Sequence, residues 1–124
     1  MAKINSKEKG KRGERLVAKI LREHGYDAKR GVQYQGSPDS PDVVGLLGVH
    51  IEVKFTEHLN IWSALEQSER DAGEGELPTV VFKRNRSKVY VAMEVERWLE
   101  ERRQNNGNDG TGYVGRDSGE NQEP

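Results

Sequence analysis

Three acids and a lysine in this sequence have the types and spacing for phosphoryl chemistry: Glu14, Asp42, Glu52 and Lys54. The last three fall in "PDVVGLLGVHIEVK", Pro41 to Lys54. Read as a hairpin with the loop Leu46-Leu47-Gly48, this stretch puts Gly48 where such loops commonly need a left-handed residue. Counting outward from Gly45 opposite Val49, Val44 faces His50, Val43 faces Ile51 and Asp42 faces Glu52. Opposed residues of an antiparallel pair share a face, with Cβ atoms roughly 5 Å apart. Side chains alternate along a strand, so Lys54 shares the face of Glu52, while Val43, Ile51 and Val53 turn to the core. Two like charges side by side raise one another's pKa unless a cation lies between them. Oxygen ligands on an open site favour Mg²⁺ or Mn²⁺, which can activate water and offset charge building on a phosphorus. Lys54 would orient or deprotonate the attacking water, or stabilise that charge. The competing reading is a surface cross-strand salt bridge of little energetic consequence.

A second Pro-Asp pair, Pro38-Asp39, precedes the first hairpin strand. Pro41 donates no ladder hydrogen bond, and a strand continued back through Asp39 would turn it to the opposite face from Asp42. Asp39 is therefore read as a loop acid.

The elements that must hold these groups can be laid out along the chain. Lys9 to His24 reads as a helix with an apolar stripe of Leu16, Val17, Ile20 and Leu21, stopped at Gly25. Glu14 continues that stripe, so it points toward the sheet and needs a partner: a metal, or a neighbouring Arg or Lys. Gly10 and Gly13 leave room for close approach of a backbone. Ala28 to Gln33 is a candidate strand, and "QGSPDSP" a loop. Strands follow over Asp42–Leu46 and Val49–Phe55. Asn60 caps a second helix to about Ala72, with Ile61, Leu65, Ser68 and Ala72 inward. Thr79–Lys83 and Val89–Met93 form a second hairpin, and a last helix spans Glu94–Arg103 with Val95, Trp98 and Leu99 on its apolar side. The order α-β-β-β-α-β-β-α predicts a mixed α/β domain with a five-stranded sheet flanked by helices.

The set Gly13-Glu14, Pro41-Asp42 and Glu52-x-Lys54 resembles the PD-(D/E)XK nuclease superfamily. Within it, the chain is most similar to the archaeal-type Holliday-junction-resolvase branch and to related phage-encoded endonucleases. The resemblance runs from about Lys9 to Met93. "GERLVAKILREHGY" is similar to that branch's first helix and "SPDVVGLLGVHIEVK" to its catalytic hairpin. It implies a restriction-endonuclease-like core. It implies Mg²⁺ (or Mn²⁺) held by Asp42, Glu52 and the Val53 carbonyl, with Glu14 holding the metal or its water and Lys54 assisting the water. Gln67 matches a polar accessory position of the superfamily, or is a plain exposed Gln. The loop with Ser37 and Ser40 matches a mobile loop near the scissile phosphate, without an assignable role. The family implies a homodimer; Trp62, Val89, Val91 and Trp98 are candidates for its surface, or core.

Composition bounds the rest. The 124 residues are 32% hydrophobic and 33% charged, one small domain with a thin core. We read residues 1–103 as a nuclease domain with a basic N-terminal arm, and 104–124 as a disordered acidic, Gly/Asn-rich tail. The sequence has no cysteine, which excludes disulfides and thiolate metal sites. It has no apolar run of membrane-spanning length and no signal-peptide core, so a soluble cytoplasmic protein of a bacterial, archaeal or phage-infected cell is expected. Without a phosphate-cradling Gly loop, no nucleotide cofactor is implied.

The net charge of −1 hides an asymmetry: Lys3 to Arg30 carries ten Lys or Arg against four acids. Lys9, Lys11, Arg12 and Arg15, with the late hairpin tip of Lys83, Arg84, Arg86 and Lys88, fit DNA phosphates. A solvated helix face and edge-strand protection are the plainer alternatives. The expectation is a metal-dependent DNA endonuclease, structure-selective on branched DNA as a homodimer. Its rivals are a non-junction-specific phage nicking or restriction-type nuclease, and a non-catalytic DNA-binding module.

Overall fold

A computed structural model describes residues 6–31 and 40–109 of the chain. Gln33, Ser37, Asp39 and positions 110–124 lie outside the described residues. The chain divides into two compact units, one through Met93 and one from Glu94.

The first unit opens with α1, Ser6–Glu23. Its stripe buries Val17 and Ala18 and half-buries Leu21. Gly25, at φ 97°, ends it: the Gly25 N–H donates to Arg22 O and the Tyr26 N–H to Leu21 O, the paired bonds of a Schellman stop. Next come β1 (Lys29–Arg30), β2 (Val43–Val44) and β3 (Val49–Phe55). The helix α2, Ile61–Asp71, is capped by the Asn60 side chain, which accepts from the Ser63 N–H at 3.1 Å. Strands β4 (Leu77–Lys83) and β5 (Tyr90–Ala92) complete the unit.

The five strands form one mixed sheet in the order β1-β2-β3-β4-β5. Only β3 and β4 run parallel, and α2 is the crossover between them. The order of elements and the mixed sheet are those the sequence implied.

Alternation divides the sheet into two faces. Val43, Ile51 and Val81 pack with Val17, Ala18 and Ala28 under α1. Val80, fully buried, points the other way and pairs in register with Glu52. There α2 crosses β3 and β4, burying Ala64 and Ser68.

Several boundaries differ from the sequence reading. On α2 the expected Ser68 is buried together with Ala64, whereas the expected Ile61, Leu65 and Ala72 are half-buried. Small residues seat a helix close to a sheet. Strand β2 is two residues rather than five, because Gly45 (φ 118°) already turns the chain. Gly10 approaches nothing, whereas a Cβ on Gly13 would meet the Phe55 ring at 3.1 Å. Trp62 and Val91 are exposed, while Val89 packs against the core.

The second unit holds α3, Val95–Asp109. It runs past the expected end at Arg103 through "QNNGND". Asn and Gly weaken a helix by about 1 kcal/mol or less each and do not forbid one. Val95, Trp98 and Leu99 are each about half exposed.

Candidate active site

The β2–β3 hairpin sets the site. The Val49 N–H donates to Leu46 O at 3.1 Å, closing a turn in which Gly48 takes φ 80°. Val43 faces Ile51, the register that counting from Gly48 gives. Asp42 lies just before β2. Its N–H donates to Ile51 O at 2.8 Å, and its Oδ2 accepts the Val53 N–H at 2.8 Å. A main-chain donor of the acid-bearing strand thus fixes the carboxylate.

A neighbouring glycine makes room. The Gly31 N–H donates to Asp42 O at 2.8 Å, and a Cβ on Gly31 would lie 2.2 Å from the Pro41 carbonyl oxygen. Only a residue without a side chain lets the chain leaving β1 run this close to the acid.

The Asp42 carboxyl is pushed up to about 7. Burial is the main cause; the Glu52 and Glu14 carboxylates raise it further, and the Val53 N–H and the Lys54 ammonium oppose them. Two further carboxylates and one ammonium thus act on a single, largely enclosed carboxyl group.

Each of the other acids has a partner. Glu14 points inward from α1, as its place on the helical stripe requires, and pairs with Arg30 Nε at 2.9 Å. Glu52 is buried, 3% exposed, and its Oε2 lies 2.8 Å from His50 Nε2. Lys54 is half-buried, with no ion pair among the described residues. Gln67 sits half-buried on α2. Arg30, Gly31 and the His50–Glu52 bond were not singled out from sequence as parts of the site. Alternation already placed His50 on the Glu52 side, but not its burial.

Among the described residues, no three His, Asp or Glu side chains converge to hold an ion on their own. The donor chemistry nevertheless fits a hard divalent cation. Such an ion is held by one or two carboxylates and keeps several waters, so Asp42, Glu52 and one main-chain oxygen suffice.

The basic residues partly converge. Lys9 and Arg12 of α1 and Lys83, Arg84 and Asn85 from the end of β4 line one cavity of about 200 Å³, floored by Gly13, Leu16 and Phe55. Two segments far apart in sequence therefore form one cationic pocket. Lys83 Nζ also braces the turn, donating to Arg84 O and Ser87 O. Arg15 instead pairs with Glu8 at 3.0 Å. Lys11 is half-buried, Arg86 is exposed at φ 65°, and Lys88 edges an apolar groove between α1 and β5.

Residues 5–113 match a family described as "Phage putative PDDEXK endonuclease". The chain belongs to the PD-(D/E)XK endonucleases. A solved structure of Hjc from Archaeoglobus fulgidus, a Holliday junction resolvase from an archaeal hyperthermophile, is 30% identical in sequence with a TM-score of 0.51. The match covers 68% of this chain and 72% of that one. No curated protein sequence matches the chain. Pro41-Asp42 and Glu52-x-Lys54 both lie within the span that matches the family, and DNA is the substrate class of this endonuclease. Among the described residues, no helix is long and apolar enough to cross a membrane.

Proposed function

We propose that this endonuclease cuts branched DNA, a four-way junction above all, with a divalent metal ion at Asp42 and Glu52. The observation that carries the reading is the Asp42 carboxylate, fixed on the Val53 N–H and set in the fields of Glu52, Glu14 and Lys54. Asp42, Glu52 and the Val53 carbonyl would hold Mg²⁺ (or Mn²⁺), with Glu14 holding the ion or its water. A bound ion of this kind supplies Lewis-acid stabilisation of a reacting phosphate and a nucleophilic water near neutral pH.

The chain's own groups do the rest. The Val53 N–H holds Asp42 in place. Lys54, two residues beyond Glu52 on the same strand face, orients or deprotonates the attacking water, or offsets charge on the phosphorus. Gln67 is an accessory polar group at most. Lys9, Arg12, Lys83 and Arg84, around one cavity, hold phosphates away from the reacting one. Lys11, Arg15, Arg86 and Lys88 add weaker, solvated contacts.

The branched-DNA preference rests on likeness to a protein whose name is that of a junction resolvase. Paired nicks across a junction need two sites, hence a homodimer. The apolar groove beside Val81, Val89 and Val91 supplies a surface for one.

The test is cleavage of four-way junction, nicked and linear DNA with and without Mg²⁺, together with Asp42→Asn. The expected result is Mg²⁺-dependent cutting of the junction, with binding but no cutting by the variant. Equal cutting of linear duplex and junction would favour a nicking or restriction-type nuclease. Cleavage retained in Asp42→Asn would defeat the reading.

A further inference from the structure

The buried histidine bonded to Glu52 has no role in the proposed function. His50 is 1% exposed, and a strand position facing Pro78 across the ladder could have been filled by Val or Leu for packing alone. A buried imidazole without partners is costly, so its bonds should explain why it is there. It lies between two acids: Nε2 is 2.8 Å from Glu52 Oε2, and Nδ1 is 3.6 Å from Glu76 Oε1.

The two distances are not equivalent. At 2.8 Å the first is a hydrogen bond; at 3.6 Å the second is outside hydrogen-bond range. A carboxylate only accepts, so Nε2 carries a ring proton and donates it to Glu52. Glu76 is occupied elsewhere, accepting the Gly73 N–H at 2.7 Å. His50 therefore directs its donor at Glu52, and Glu52 Oε1 accepts no hydrogen bond among the described residues.

Resting on the metal reading above, we infer that His50 is a positioning residue for the metal site. It fixes the buried Glu52 carboxylate through one oxygen and leaves the other for the ion. Glu has three rotatable bonds, and a flexible ligand loses entropy each time it is ordered. Holding it beforehand makes the site ready for the ion, and outer partners of this kind are typically worth about 10–100-fold in metal affinity.

The test is Mn²⁺ titration of the full chain, read from the electron paramagnetic resonance signal of free Mn²⁺, with Tm recorded in EDTA. Gln carries its amide nitrogen near the place of Nε2, and Asn near that of Nδ1. His50→Gln should hold Glu52 and bind Mn²⁺ close to wild type. His50→Asn should bind about 10–100-fold more weakly, with a Tm in EDTA like that of His50→Gln. In a Glu52→Gln background the two should no longer differ. Equal Mn²⁺ binding by His50→Gln and His50→Asn, or a difference that persists without the Glu52 carboxylate, would overturn the inference. A wild-type chain that binds no Mn²⁺, or a Glu52→Gln variant that binds as well as wild type, would instead defeat the metal site itself.

Discussion

The two faces of β3 are built to opposite rules. On one, Val49, Ile51, Val53 and Phe55 join the core beneath α1, and burial alone stabilises them. On the other, the buried His50 and Glu52 are joined by a hydrogen bond to each other. Fold and chemistry thus alternate residue by residue, and substitutions one position apart should have different consequences. Glu52→Gln should reduce Mg²⁺-dependent cleavage by about a thousandfold or more, with circular dichroism showing a folded chain. Ile51→Ala, one residue earlier, should cost about 2–5 kcal/mol of stability in urea unfolding. The molecules that remain folded should still cut. If Glu52→Gln unfolds the chain and Ile51→Ala does not destabilise it, the division between the faces is wrong.

The polar face should also show in the pH dependence of stability. Folded Asp42 keeps its proton up to about pH 7, whereas an ordinary Asp loses it near 3.8. Between these values the folded state binds more protons than the unfolded one, so stability falls as pH rises. The contribution is fully present below 3.8 and gone above about 7. Without metal, Asp42→Asn should flatten that slope, leaving Tm at pH 4 nearly unchanged and raising it at pH 8. Mg²⁺ should stabilise the wild type at pH 8 and not the variant. Parallel Tm–pH curves for the two proteins would show that Asp42 is not the strained acid.

The cationic cavity predicts a smaller effect. Arg84→Ala should weaken DNA binding about equally for all sequences and reduce the salt slope by about 1. Arg86→Ala, beyond the cavity, should do less. Fluorescence anisotropy at several salt concentrations measures both, and equal effects would mean that the cavity confers nothing beyond charge.

What the sequence could disclose was what local geometry dictates. The register of the β2–β3 hairpin follows from a left-handed glycine and alternation, and both act within a few residues. The inward direction of Glu14 follows from the helical period. Its partner did not, because Arg30 lies 16 residues on and meets it only where β1 passes α1. His50 was legible as to face but not as to depth, since its neighbours Pro78 and Glu76 come from a segment more than twenty residues on. Helix α2 shows the limit of pattern reading: of the expected inward residues Ile61, Leu65, Ser68 and Ala72 only Ser68 is buried, and Ala64, which the stripe omitted, is buried beside it. The basic cavity combines two clusters whose separate charges were plain and whose meeting was tertiary.

The mildest variant asks how much of the polar face depends on the turn. A Cβ on Gly48 would meet nothing within 4 Å, so Gly48→Ala tests backbone strain alone, at φ 80°. It should cost about 1 kcal/mol. The register has other anchors, the Asp42 N–H on Ile51 O and the Asp42 carboxylate on the Val53 N–H. These bonds lie on the far side of Val43 from the turn, so strain at Gly48 can relax in Leu47, which is 97% exposed, before it reaches them. Cleavage by the folded fraction should therefore stay near wild type. A loss of cleavage well beyond the loss of stability would show that the turn, and not the Asp42 anchors, brings the acids together.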